Sequence, residues 1–419
     1  MAGTLSALPV IPLDEAYALT AAYNADSHPE KVLLGAGVYR DENLKPWVLP
    51  SVKKVRKSEI LHETVVDHEY LPIAGAPGFL KLAQQLIFGP ILDDTSRSHA
   101  ITSVQSISGT GANHLAALFL GHYLRPAHVF ISNPTWMNHH VIWELAAPSV
   151  VRKTYPYYNP ATRSMDLDAF LAELETSAVA NDVVILHACA HNPTGFDPTH
   201  EQWDKIAEVI RRKGLFPIFD TAYQGFASGD LDEDAWAIRH FYKTLFEEPT
   251  TSPSPGMIVC QSFSKNFGLY GERVGALHLA LPPGSSLAGA ESQFARLIRG
   301  EVSTCPRFGC RVVETVLSDP ALREIWQADL KTMAARIRAV RQALRSELVK
   351  LGTKGDWSHI ETQIGMFSYT GLSEAQVKRL NEVHHVYMMA SGRISLAGLN
   401  EKNVGYVARA IHEVVENAP

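Results

Sequence analysis

Val183-Val184-Ile185-Leu186-His187, the turn Asn192-Pro193-Thr194-Gly195, a helical stretch from about Thr199 to Lys213 and Phe216-Pro217-Ile218-Phe219-Asp220 decide the fold. Short apolar runs rich in Val and Ile, bounded by Pro and Gly, read as buried strands. A helical pattern between two of them points to an α/β domain with a mostly parallel sheet. The same grammar extends outward in both directions. Upstream, Ile101 to Ile107 reads as an extended run followed by a helix from Gly111 through Tyr123, and Val129 to Ser132 is a strand ending at Asn133-Pro134. Downstream, Met257 to Gln261 follows a Pro/Ser-rich loop at Pro249 to Gly256. Polar groups recur at the C-terminal ends of these strands, where open α/β sheets place their ligand crevice.

The last third changes character. Ala321 to Leu351 is a long helical pattern with apolar Ile325, Leu330, Met333, Ile337, Val340 and Leu344. Short strand-like segments follow at Gly365 to Tyr369, Val386 to Met389 and Arg393 to Ser395, then a final helix from Asn403. This reads as a separate α+β unit, and a chain of 419 residues, 46% hydrophobic, fits two domains better than one. A charged fraction of 20% and a net charge of −6 argue against nucleic-acid partners and against attraction to an anionic membrane. Apolar stretches such as Leu115 to Leu120 are too short to span a bilayer. Met1 to Leu13 lacks the basic region of a signal peptide, and no Lys or Arg precedes Lys31, which argues against an organelle transit peptide. Four cysteines without a C-x-x-C fit the reduced thiols of a cytosolic protein. The doublets His139-His140 and His384-His385 lack metal-ligand spacing, so no metal is expected.

The chemistry is concentrated in Ser262-Phe263-Ser264-Lys265-Asn266-Phe267-Gly268-Leu269-Tyr270-Gly271-Glu272-Arg273. A lysine at the end of a buried strand sits where its amine can lose a proton and attack a carbonyl. Ser262, Ser264 and Arg273 are donors suited to a phosphate. Together these are what pyridoxal 5'-phosphate requires, whereas an isolated Ser-Lys would read as a surface loop. Ser108-Gly109-Thr110-Gly111-Ala112, between a strand and a helix, supplies backbone amides and hydroxyls for the same phosphate, although such turns also serve simply as caps. Asp220 could pair with a pyridine nitrogen, or cap the next turn. Asn192 and Tyr223 could bond a phenolic oxygen, and Trp136 could stack on a ring or fill the core. Arg393 could grip a carboxylate, and so could Arg299, for which a solvated helix-face charge or an ion pair with Glu301 is the competing reading. Their joint occurrence, in this order, outweighs the single alternatives.

Across nearly its whole length the chain resembles class I aminotransferases of the aspartate aminotransferase family, nearest to their eukaryotic cytoplasmic members. The resemblance is carried by Leu34-Gly35-Ala36-Gly37-Val38-Tyr39-Arg40, Lys45-Pro46-Trp47-Val48-Leu49-Pro50, His68-Glu69-Tyr70-Leu71, Ser108-Gly109-Thr110-Gly111, His191-Asn192-Pro193-Thr194-Gly195, Asp220-Thr221-Ala222-Tyr223-Gln224-Gly225-Phe226, the Lys265 segment, Gly365 to Gly371 and Ser391-Gly392-Arg393. It implies a pyridoxal-phosphate-dependent transferase of fold type I. The large domain, 47–325, would hold a mostly parallel, mixed seven-stranded sheet between helices, and 1–46 with 326–419 would form an N-terminal arm and a small α+β domain.

The resemblance also implies residue roles. Lys265 carries the cofactor and shuttles the proton, Asp220 pairs with the ring nitrogen, and Asn192 and Tyr223 bond the phenolic oxygen. Ser108, Gly109, Thr110, Ser262 and Arg273 hold the phosphate, joined by Tyr70 of a second subunit. Trp136 stacks on the ring and His139 supports Asp220. Arg393 takes the substrate α-carboxylate with Gly37, Trp136 and Asn192, and Arg299 of the second subunit takes the distal carboxylate. A cytoplasmic homodimer exchanging the amino groups of aspartate and glutamate with oxaloacetate and 2-oxoglutarate is expected. The alternatives are an aromatic or kynurenine aminotransferase, a non-catalytic pyridoxal-phosphate-binding regulator, and a nicotinamide dehydrogenase, which the missing glycine fingerprint disfavours. One departure stands out: the family commonly carries Asn-Pro-Pro where this chain has Thr304-Cys305-Pro306.

Overall fold

The structure is a computed structural model that describes residues 8–57, 68–94, 100–247 and 254–417. Residues 249–253 of the expected Pro/Ser-rich loop and the first seven residues of the leader reading lie outside them. A seven-stranded sheet runs in the order Ile101–Ile107, Val274–Ala280, Met257–Ser262, Phe216–Thr221, Val183–His187, His128–Asn133 and Val151–Pro156. Val274–Ala280 is antiparallel to both of its neighbours, and the other adjacent pairs are parallel. The mostly parallel, mixed seven-stranded sheet expected from the sequence is therefore present.

The central strands bury every side chain, which is why they read as unbroken apolar runs. Phe130, Val184, Leu186, Phe219 and Val259 face one apolar layer, and Val129, Ile131, Ile185, Ile218 and Cys260 face the other. Helices seal both faces. His200–Lys213 is started by Thr199, whose hydroxyl accepts from the Gln202 amide in a full capping box, and stopped by Gly214 at φ +61°. Losing such a cap typically costs about 1 kcal/mol.

Two strands of this sheet escaped the sequence reading. Val151–Pro156 is an edge strand of mixed polarity, and Val274–Ala280 hides a histidine and a glycine inside an apolar run. The helix expected from Gly111 begins at Ser108, so the phosphate-type turn is itself the first turn of a helix.

Beyond the sheet, the helix Pro320–Lys350 is capped by Asp319, whose carboxylate accepts from the Ala321 and Leu322 amides. It packs against the final helix, Val404–Glu416. Val32–Leu33 pairs in parallel with Val386–Tyr387, and Phe367–Tyr369 pairs antiparallel with Arg393–Ser395. The early chain is thereby hydrogen-bonded to its last hundred residues, and Gly37 is carried to the mouth of the sheet crevice.

Candidate active site

Residues from the C-terminal ends of the parallel strands converge on one cavity of about 150 Å³. Ser108 follows Ile101–Ile107, Trp136 follows His128–Asn133, Asn192 follows Val183–His187, Asp220 and Tyr223 lie at the end of Phe216–Thr221, and Lys265 follows Met257–Ser262. Arg273 reaches the same edge because the antiparallel strand begins there. Gly37, Gly109, Thr110 and Ser262 also line this cavity.

One end is built for an anion. Ser108 Oγ lies 2.7 Å from Ser264 Oγ and 3.3 Å from Ser262 Oγ, beside the N-terminal turn of Ser108–Tyr123. Ser108 and Arg273 both hold positive φ, +61° and +55°, a conformation costly for side-chain-bearing residues and concentrated where a site demands it. Close packing fixes the turn. A Cβ on Gly109 would fall 2.9 Å from Ser262 Cβ, and one on Gly275 would fall 2.5 Å from the Ser108 carbonyl carbon.

The other end centres on Asp220. Its Oδ2 lies 3.2 Å from His139 Nε2, and His139 Nδ1 lies 2.8 Å from Thr135 Oγ1. Burial would raise the Asp220 carboxyl, but the His139 hydrogen bond and the charges of His139, His187 and Lys265 outweigh it, leaving the carboxyl below its ordinary value. Asp220 is thus a fixed anion. The ligand atoms of His139, His187 and Asp220 lie within 4.8 Å of one another. The imidazole nitrogens are already engaged, since His187 Nδ1 accepts from the Asn192 amide at 2.9 Å and both His139 nitrogens have partners. The trio is therefore a hydrogen-bonded brace.

Lys265 lies between these ends, its amine 5.1 Å from the centre of the Tyr223 ring. Burial lowers its proton affinity, aided by the positive charges of Arg273 and Arg393 and opposed by Asp220. The amine is poised to lose a proton. Burial also raises the Tyr223 phenol, so it stays a protonated donor. At the rim, Arg393 donates to Asn192 Oδ1 at 3.3 Å and to the Gly35 carbonyl at 2.9 Å, with its guanidinium 4.2 Å from the Phe367 ring centre. Its Nε is buried without a partner, a donor waiting for an acceptor.

An anion cradle, a lysine with a weakened hold on its proton and a fixed carboxylate at the opposite end fit a phosphorylated pyridine aldehyde. Tyr70 and Arg299 stand apart from this cavity. Tyr70 is 79% exposed, and Arg299 is exposed with its guanidinium donating to Ser303 Oγ. Next to Thr110 and Arg273 a second, largely apolar cavity of about 480 Å³ opens to the surface, where Val141, Leu145 and Val302 are exposed. Sequence reasoning missed Tyr270, His187 and Cys189 in the main cavity. Tyr270 sits inside the lysine segment and could have been found there; its hydroxyl accepts from the Tyr39 amide at 2.9 Å, tying that segment to the Gly37 region. His187 and Cys189, at the end of a buried strand, look like ordinary core residues in sequence.

Comparison with known proteins places this geometry. The profile described as "Aminotransferase class I and II" matches residues 29–411. Cytoplasmic aspartate aminotransferase of Saccharomyces cerevisiae is 48% identical over 410 residues, 97% of this chain and 96% of that one. A solved aspartate aminotransferase from Saccharomyces cerevisiae cytoplasm matches with a TM-score of 0.93 and 46% identity, covering 99% of both chains. The aromatic-amino-acid aminotransferase of Burkholderia pseudomallei, solved covalently bound to pyridoxal phosphate, matches with a TM-score of 0.91 and 38% identity over 99% of this chain and 100% of that one.

Proposed function

Because the chain belongs to the class I and II aminotransferases, we propose that it is a pyridoxal-phosphate-dependent aspartate aminotransferase, moving an amino group reversibly between L-aspartate and 2-oxoglutarate to give oxaloacetate and L-glutamate. The observation that carries this reading is the convergence of Lys265, Asp220 and Arg273 on one cavity, with Arg393 bonded to its lining residue Asn192 and the buried Arg393 Nε lacking an acceptor. The cofactor, when bound, supplies an aldehyde that takes up the amino group and a ring that draws electrons from the substrate Cα. Ser108, Gly109, Thr110, Ser262 and Arg273 would hold its phosphate, Asp220 its ring nitrogen, and Asn192 and Tyr223 its phenolic oxygen. Trp136 would cover one ring face.

This chain's own residues do the rest. Lys265 Nζ takes the proton from the substrate Cα and later returns one, a task suited to an amine whose proton affinity burial has lowered. Arg393 seats the α-carboxylate, with Gly37, Trp136 and Asn192 shaping the seat, so that the Cα proton points at Lys265. His139 keeps Asp220 ionised.

Two subunits would complete the site. Tyr70 and Arg299 are exposed, outside their own chain's cavity, and the apolar surface around Val141, Leu145 and Val302 adjoins it. We assign Tyr70 to the phosphate and Arg299 to the distal carboxylate of the partner's site in a homodimer. We likewise assign a large domain, 47–325, and a small one from 1–46 with 326–419, a reading supported by the pairing of Val32–Leu33 with Val386–Tyr387. The cytoplasmic yeast relative supports the same compartment here.

A visible absorption band that responds to aspartate, together with coupled turnover of aspartate and 2-oxoglutarate, is expected; their absence from protein incubated with the cofactor refutes the assignment. Arg299→Asp should cut aspartate turnover by orders of magnitude while sparing phenylalanine, because a substrate carboxylate left unpaired costs roughly 2–5 kcal/mol. The aromatic relative and the Thr304-Cys305 departure beside Arg299 favour a second reading, an aromatic aminotransferase. The ratio of kcat/KM for aspartate and phenylalanine decides between them.

A further inference from the structure

Two segments that the chain presents to a second copy, the loop after Tyr70 and the stretch after Arg299, are tied to one buried side chain. Gln105 lies in Ile101–Ile107, the edge strand of the large sheet, and is only 1% exposed. An edge strand leaves one row of backbone groups without a ladder partner. Here the Gln105 amide donates to the Ala74 carbonyl at 2.8 Å, and its carbonyl accepts from Cys305 Sγ at 3.2 Å. The side chain repeats the pattern: Oε1 accepts from the Ala76 amide at 3.2 Å and Nε2 donates to the Pro306 carbonyl at 2.9 Å. Gly75 lies so close that a Cβ there would meet Gln105 Cβ at 2.3 Å, so the loop is pressed onto this residue. Arg307 Nη1 also donates to the Glu69 carbonyl at 3.3 Å, joining the two segments directly. Ser303, at φ +65°, holds the Arg299 guanidinium on the same stretch.

We infer that Gln105 is a positioning residue that sets the Tyr70 loop and the Arg299 arm in fixed relation, so that phosphate grip and distal-carboxylate specificity in the partner's site are adjusted together. This rests on the reading that Tyr70 and Arg299 serve a second copy. The structural logic is that both amide ends of Gln105 are spent, one on each segment. An apolar replacement of similar size strands the Ala76 amide and the Pro306 carbonyl and frees both segments to shift. Cys305 occupies the Arg299 side alone, so the Thr304-Cys305-Pro306 departure acts on one of the two outputs.

The test uses the cofactor-loaded enzyme carrying Gln105→Leu, Cys305→Ala or Arg299→Asp. It reads KM and kcat for aspartate and for phenylalanine and, separately from activity, the rate at which cofactor absorbance is lost on dilution. Gln105→Leu should raise KM for aspartate about tenfold, leave the phenylalanine value within about threefold, and speed cofactor loss about fivefold, the scale of one weakened charge-assisted contact. Cys305→Ala should raise KM for aspartate about threefold with cofactor loss at the wild-type rate, as expected for one weak bond. Wild-type KM and wild-type cofactor loss in Gln105→Leu, beside a selective loss of aspartate turnover in Arg299→Asp, overturn the inference and leave the role of Arg299 standing. Should Gln105→Leu fail to fold, an unchanged aspartate KM in Cys305→Ala overturns it equally. Equal losses for aspartate and phenylalanine in Arg299→Asp overturn the underlying reading instead.

Discussion

Replacing Arg393 by lysine keeps the charge and removes the geometry. The guanidinium is held in place by Asn192 Oδ1 at 3.3 Å and the Gly35 carbonyl at 2.9 Å, and lies 4.2 Å from the Phe367 ring centre. With those two donors engaged, the buried Nε is left without a partner, and the proposed seat would offer it and the remaining guanidinium hydrogens to a carboxylate. A lysine ammonium cannot satisfy Asn192, Gly35 and a carboxylate in that fixed plane. It forfeits one charge-assisted hydrogen bond, about 1.5–3 kcal/mol, and part of a desolvated cation–π contact, about 1–2 kcal/mol. Together these correspond to a fall in kcat/KM for aspartate on the order of 10²–10³. Arg393 makes no bond to the Ser108 and Ser262 end of the cavity, so cofactor retention and the visible spectrum without substrate should stay at wild-type values. The assay is steady-state kcat/KM with aspartate and 2-oxoglutarate at saturating cofactor, alongside spectra. A loss smaller than about fivefold, or a loss accompanied by cofactor release, would refute the carboxylate seat.

Other consequences concern the lysine, the phosphate turn and a half-buried acid. Borohydride trapping of the cofactor on Lys265, followed against pH in Asp220→Asn, should shift to lower pH than wild type, because the Asp220 charge is what raises the Lys265 amine against its burial; an unchanged profile contradicts that electrostatic assignment. Gly275→Ala thrusts a Cβ to 2.5 Å from the Ser108 carbonyl carbon and 2.8 Å from the Gln261 carbonyl oxygen. It should cost about 1–3 kcal/mol in stability and weaken cofactor binding about tenfold or more, measured by melting and by cofactor titration; wild-type affinity would show that the turn gives way freely. Asp197, half-buried and accepting from the Ala190 and His191 amides, is pushed from 3.8 up to about 6 by the desolvation of its carboxyl. A carboxyl raised on folding favours the fold fully below about pH 4 and loses that contribution as pH climbs through about 6, on the order of 3 kcal/mol. In urea melts, Asp197→Asn should therefore remove a decline in stability between these pH values, and a wild-type slope retained in the variant excludes Asp197 as its source.

Much of this was legible in the chain itself. Val183–His187 and Met257–Ser262 announced themselves because strands covered on both faces tolerate little but apolar side chains. The residues that end these strands were readable as a site because a crevice at the sheet's C-terminal edge collects them whatever their spacing in sequence. Val274–Ala280 was not readable: its glycine answers to the Ser108 backbone and its histidine to Ser103 and Gln261, partners that are neighbours only in the folded chain. The same holds for the brace of His139, Thr135 and His187 beneath Asp220, and for Gln105 between the Tyr70 and Arg299 segments. Local pattern specifies element type and the chemical kinds of side chain at their ends. Which hydrogen-bond partner a buried polar group finds, and that Tyr70 and Arg299 both lie outside their own chain's cavity, is decided by long-range packing, because satisfying a polar atom depends on distance in space and not on separation along the chain.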